Sequence, residues 1–113
     1  MELEKETEQQ IQQLQSFEQT LQSILMQKQA FQMEMSETEN ALAELKNVGE
    51  EVYKIAGSIM IKAKKEEVSK DLVKKQELLA LRLKNIEQQE KAISEDTENL
   101  REKVLAKIRD KKK

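Results

Sequence analysis

The chain contains no cysteine, histidine, proline or tryptophan, only two glycines, and only three aromatic residues, Phe17, Phe31 and Tyr53. Each absence excludes something. Without cysteine there is no disulfide, and redox chemistry leaves the compartment undetermined. Without cysteine and histidine, the ligands that zinc and most transition metals prefer are missing. Carboxylates remain for calcium or magnesium, but no loop spaces them for coordination. No cofactor is expected. Glycine-rich phosphate loops, nucleophile elbows and metal-binding motifs are also missing, which argues against an enzyme. No segment approaches the ~20 apolar residues needed to span a bilayer, and the N-terminus has no apolar signal core. The expectation is a soluble, intracellular, cytoplasmic protein with no membrane partner.

What is present is charge and helical periodicity. Charged residues make up 37% of the chain, as do hydrophobic ones, and the net charge is −2. That balance does not favour a nucleic-acid partner, whose contact face is normally basic. The charge is uneven, with Glu2, Glu4, Glu6 and Glu8 at the start and Lys107, Arg109, Lys111, Lys112 and Lys113 at the end. Acid at a helix start and base at a helix end both suit the helix dipole.

Between Leu14 and Leu45 a seam runs at alternating spacings of three and four: Leu14, Phe17, Leu21, Ile24, Lys28, Phe31, Met35, Thr38, Leu42 and Leu45. Eight of these ten are apolar. Such a run predicts a coiled coil rather than an ordinary surface helix. One helix is expected over 3–46, ending at Asn47 or Gly49, with Gly49 as a natural stop. A second seam comprises Leu72, Gln76, Leu79, Leu83, Ile86, Glu90, Ile93, Thr97, Leu100 and Val104, of which seven are apolar. It predicts a helix over 65–110, with Glu66 and Glu67 in its first turn. Two helices of roughly 45 residues across a short connector favour an antiparallel pair.

With position numbers summing to about 118 across the pair, Lys28 falls opposite Glu90, the one charged residue of each seam. A matched buried pair can set register. The alternatives are a chance alignment, or a Lys28 that snorkels to solvent. A helix seam offers no substrate pocket, so this is not a catalytic pair.

In the connector the period changes to two. Gly57-Ser58 fits the centre of a type II′ turn, pairing Ala56 with Ile59 and so outward to Val52 with Ala63. A hairpin is expected within 51–64. Val52, Ala56, Ile59, Ile61 and Ala63 would surround Lys54 on one face, and Tyr53, Ile55 and Met60 would accompany Lys62 on the other. Neither face is cleanly polar, and an isolated two-stranded hairpin is marginal in water. Association of hairpins from several chains solves both problems, which assigns oligomerisation to Val52, Tyr53, Ile55, Ile59, Met60 and Ile61. The alternative is a hairpin folded back on the helix ends of its own chain.

These features resemble the prefoldin family, specifically its beta class as found in archaea. The resemblance is carried by Val52-Tyr53-Lys54, Gly57, Ile59-Met60-Ile61-Lys62, and Lys65-Glu66-Glu67-Val68 leading into Leu72. Gln27-Lys28-Gln29 and Glu87-Gln88-Gln89-Glu90 are similar to archaeal beta sequences as well. Many family members have proline after the turn glycine, where this chain has Ser58. Alpha-class subunits have two hairpins in the connector, and this connector has room for one. The implied fold is mainly α: a single domain over 1–113, an antiparallel coiled-coil hairpin of two long helices joined by one β-hairpin that assembles with other subunits.

The resemblance implies a co-chaperone subunit in a heterohexamer of two alpha-class and four beta-class chains. Such assemblies capture unfolded client proteins at coiled-coil tips without ATP and deliver them to a group II chaperonin. Here the tip residues would be Leu3, Ile11, Leu14, Leu100, Val104, Leu105 and Ile108. For Leu14 and Val104 completion of the seam is the favoured reading over client contact, whereas for Ile11, Leu105 and Ile108 the two readings stand level, with Ile11 and Leu105 falling beside the seam. Thr7 and Gln10 continue the first seam as polar positions and are expected to loosen its last turns. The basic tail either touches an acidic chaperonin surface or is simply solvated. A structural coiled-coil spacer or tether without client binding is the competing expectation.

Overall fold

The computed structural model describes residues 4–111 and contains four elements in the order α1 (Lys5–Leu45), β1 (Glu51–Ala56), β2 (Ile59–Lys64) and α2 (Lys65–Lys111). Leu3, Lys112 and Lys113 lie outside the described residues. The fold is the mainly α one expected from the heptads: two long helices joined by a single β-hairpin. Among the described residues, no helix is long and apolar enough to cross a membrane.

The helices follow from their seams. All ten expected seam positions of α1 and all ten of α2 are buried or half-buried, and most other positions on both helices are exposed. Glu6 and Glu8 occupy the first turn of α1, and Glu66 and Glu67 that of α2, where carboxylates complement the dipole. No glycine or proline interrupts either helix.

The end of α1 differs from expectation. Lys46, Asn47 and Val48 donate their backbone N–H groups to the carbonyls of Ala43, Glu44 and Leu45, three residues back in each case. These tight 3₁₀-type bonds satisfy the last carbonyls directly and close the helix at Leu45. Gly49 lies beyond them without a positive φ, so it is not a left-handed cap.

Gly57 is different. Among the described residues it alone has a positive φ, 63°. Ser58 therefore has a negative one, and this combination identifies a type II′ turn. A Cβ would meet nothing within 4 Å at either glycine, so conformation alone separates the two. Gly57→Ala is expected to lower stability by about 1–2 kcal/mol, the cost of a left-handed L-residue. Gly49→Ala should leave stability unchanged or raise it by about 0.5 kcal/mol, by restricting the unfolded chain. Thermal melts of the two variants test this contrast.

The chain forms two compact units. One comprises Met1–Lys28 with Asn85–Lys113. In it the early part of α1 runs antiparallel to the late part of α2: Glu6 meets Lys107 at 3.3 Å, Glu18 meets Arg101 at 3.3 Å, and Lys28 meets Glu90 at 3.0 Å. Ile24, Ile86 and Val104 form its buried apolar core, with Thr7 and Thr97 buried beside them in sequence terms as seam residues. The other unit is Gln29–Lys84. It holds the end of α1, the hairpin and the start of α2. Leu79 is its most deeply buried side chain, 1% exposed. Arg82 stacks its guanidinium 6.0 Å from the centre of the Phe31 ring.

Two seam threonines solve the problem of a buried hydroxyl within their own helix. Thr38 donates to the Glu34 carbonyl at 2.7 Å and Thr97 to the Ile93 carbonyl at 2.6 Å. With its hydroxyl bonded to its own helix, each threonine can be buried in the seam without an unsatisfied donor.

Candidate interaction sites

The hairpin is built by two strands that contain Val52, Tyr53, Ile55, Ile59 and Ile61, residues that favour strands, around a two-residue turn. Its register pairs Glu51 with Lys64, Val52 with Ala63, Tyr53 with Lys62, Lys54 with Ile61, Ile55 with Met60 and Ala56 with Ile59. That is the register expected from the period and the turn. Paired residues share a face. Tyr53, Ile55, Met60 and Lys62 lie on one face together with the Glu51–Lys62 ion pair at 3.2 Å. Val52, Lys54, Ala56, Ile59, Ile61 and Ala63 lie on the other.

Both faces are open. Tyr53, Ile55, Ile59, Met60 and Ile61 are between 41% and 76% exposed. Val52 and Ala63, at the base, are half-buried. Within this unit the hairpin therefore does not fold back over the helix ends beyond its base. The sheet has only two strands, so each strand also presents a free edge. In a two-residue turn the flanking pair, Ala56 and Ile59, closes the turn hydrogen bond. Alternation then points the backbone groups of Tyr53 and Ile55 outward from β1, and those of Met60, Lys62 and Lys64 outward from β2. Apolar faces and unpaired edges together make a surface suited to strand addition.

Lys65, the first residue of α2, anchors this connector. Its backbone N–H donates to the Glu50 carbonyl at 2.8 Å, and its Nζ donates to the Val48 carbonyl at 3.1 Å. One residue thus holds both the exit from α1 and the approach to β1. Sequence rules do not reveal it, because a lysine at a helix N-terminus runs against the dipole. Its reach across the turn emerges only with the backbone path. Lys65 also lines a groove of about 440 Å³, together with Glu39, Leu42, Leu45, Ser69 and Val73 among others.

In the unit holding both termini, the expected tip residues fall into two groups. Val104 is buried at 5% exposure and belongs to the packed core. Ile11, Leu14, Leu100 and Ile108 are half-buried, and Leu105 is 58% exposed. Leu3 is outside the described residues. Thr7 is buried at 1% exposure, so the seam extends to it rather than loosening there. The Glu6–Lys107 and Glu18–Arg101 pairs across the helices are largely solvent-exposed and contribute little to stability.

Lys28 and Glu90 come together as the opposed seam positions indicate. Lys28 Nζ donates to Glu90 Oε1 at 3.0 Å, with about a quarter of each side chain still accessible, 25% and 24%. The pair neither snorkels apart nor sits fully dry. Lys28→Glu is expected to destabilise by about 1–2 kcal/mol by setting two carboxylates together, and Glu90→Lys similarly. The double exchange should recover most of that loss in chemical denaturation. Purely additive losses would show that the two residues act independently.

Comparison with known proteins supports one family. The family model described as "Prefoldin subunit" matches residues 8–111. The prefoldin subunit beta of Thermococcus onnurineus is 35% identical over 99 residues, covering 86% of this chain and 85% of that protein. The prefoldin subunit beta of Archaeoglobus fulgidus is 40% identical over 85 residues, covering 74% and 73%. Among solved structures, the crystal structure of the prefoldin beta subunit from Thermococcus strain KS-1 is similar with a TM-score of 0.83 and 31% identity. It covers 93% of this chain and 94% of that one.

Proposed function

The chain belongs to the prefoldin subunit family, in its beta class, and on that premise we propose that it captures unfolded polypeptides without ATP and passes them to a group II chaperonin. The family is one of chaperone cofactors and not of enzymes. The chain acts within an assembly with other prefoldin subunits. Two alpha-class and four beta-class copies form the proposed complex in the cytoplasm, each copy serving as a single domain.

One observation carries this reading: beyond its base, the hairpin leaves Tyr53, Ile55, Ile59, Met60 and Ile61 uncovered in the isolated chain. A soluble protein rarely exposes such a patch without a partner for it. Oligomerisation is assigned to Val52, Tyr53, Ile55, Ile59, Met60 and Ile61. Client contact is assigned to the termini, where Leu105 is open and Ile11, Leu14, Leu100 and Ile108 retain part of their surface. Leu3 and Val104 complete that proposed set, with Val104 contributing mainly by packing. Lys28 and Glu90 set the register. Several weak contacts from several subunits would hold a client that no single contact could.

The complete complex is expected to suppress aggregation of a denatured client without nucleotide. Leu105→Ser with Ile11→Ser should reduce that holding by about tenfold while leaving assembly intact, because two apolar contacts are lost from every copy. Removing about ten residues from each terminus should abolish it. Unchanged holding by the truncated complex would refute the tip assignment. The second reading is a spacer or tether without client binding, and the packing of Val104 into the seam favours it. It predicts stable assembly with no protection of clients.

A further inference from the structure

The hairpin carries a charge asymmetry. Its strands contain one carboxylate, Glu51, and three ammonium groups, Lys54, Lys62 and Lys64, a net charge of +2 in a chain whose total is −2. Glu51 is engaged by Lys62 on the face that carries Tyr53, Ile55 and Met60. Lys54 stands on the opposite face, paired in register with Ile61. It occupies the middle of three cross-strand rows, between Val52–Ala63 and Ala56–Ile59. Lys54 is exposed, and among the described residues it forms no ion pair.

Any partner that covers Ile59 and Ile61 must also deal with Lys54. An ammonium group removed from water without a counter-charge is heavily penalised. Its stem could reach water across the nearer rim, the free edge of β1. That route closes once a strand is added there. The covering surface must then supply a carboxylate.

We propose that Lys54 selects the hairpin's partner: this face docks a hairpin of a different chain that presents a carboxylate to Lys54, and it disfavours a second copy of itself. The same face of a second copy offers Val52, Lys54, Ala56, Ile59, Ile61 and Ala63, with no acid among them. Face-to-face self-association buries two Lys54 ammonium groups in one contact, with no carboxylate from that face to offset them. This inference rests on the reading of the hairpin as an assembly surface, and it adds which chains that surface admits. A like-charge clash built into an apolar face is a recognised route to specificity.

The test uses the full chain and its variants, measured by sedimentation at low and physiological salt. Lys54→Met should self-associate about tenfold more tightly than the parent, once the two buried ammonium groups are gone. An equimolar mixture of the parent with Lys54→Glu, which serves as the carboxylate-bearing probe, should associate about tenfold more tightly than either alone, with a gain that shrinks as salt rises. Circular dichroism checks that helix content is unchanged. Lys54→Met that associates no more tightly than the parent overturns the proposal, as does a mixture no tighter than its components. Adding Ile59→Asp to Lys54→Met should erase the gain. If the gain survives, association runs through another surface, and the hairpin reading falls together with the selection built on it. If Lys54 substitutions are silent while aspartates at Ile59 and Ile61 still prevent assembly, the selection alone is refuted.

Discussion

Ile59→Asp combined with Ile61→Asp is expected to leave the chain unable to join its assembly while its two helices remain formed. Both isoleucines lie on one face of the hairpin and both are exposed in the single chain, so no intrachain core is lost. In a docked hairpin each contributes roughly 1.5–3 kcal/mol of apolar burial. An aspartate in its place adds the cost of desolvating a charge. The combined penalty, about 5 kcal/mol or more, corresponds to a loss of association of at least 10³-fold. Native mass and sedimentation read the assembly, and circular dichroism reads the helices. Aspartate also disfavours strand structure. Threonine at both positions is therefore the companion variant: it keeps the β-branched shape and should weaken assembly by about 10–100-fold. An oligomer undisturbed by both variants would refute the hairpin as the assembly surface.

The largest expected effect on the stability of the chain itself lies at Leu79. It is 1% exposed, in the seam of α2, and Leu79→Ala removes three carbons from a fully buried side chain. The expected cost is about 3 kcal/mol. For a chain of this size that corresponds to a fall in melting temperature of roughly 10 °C. Leu81, two positions along the same helix, is 60% exposed, and Leu81→Ala should change stability by less than about 0.5 kcal/mol. Chemical denaturation of the two variants separates the faces of one helix using the same substitution. Equal effects would mean that the seam does not carry the stability.

Much of this fold is legible in the chain because it rests on periodicity. The three-and-four spacing from Leu14 to Leu45 marks the buried stripe residue by residue, and the opposition of Lys28 and Glu90 follows from counting along two seams. The hairpin register follows from Gly57 and the alternation on either side of it. What stayed hidden depends on the path of the chain in space. Gly49 reads as a helix stop, yet α1 closes earlier through bonds between backbone groups, which no side-chain pattern announces. Thr7 reads as a polar interruption, yet it is buried at 1% exposure with its hydroxyl unpartnered among the described residues, which no periodicity announces. At the candidate tip, periodicity separates seam from flank and so distinguishes Val104 from Leu105. It does not state how much of Ile11 or Ile108 remains open, because that depends on the tilt of neighbouring side chains.

The double anchoring of Lys65 has a consequence for how this connector can vary in length. Extra residues placed at the Gly57-Ser58 turn would extend a loop that already faces solvent and would leave Val48, Glu50 and Lys65 in place. One extra residue between Leu45 and Glu51 would instead shift the acceptors of Lys65 out of reach and rotate the strand that follows, exchanging its two faces. Natural length differences, and successful peptide-tag insertions, should accordingly concentrate at the turn and be absent from the five-residue approach to the sheet.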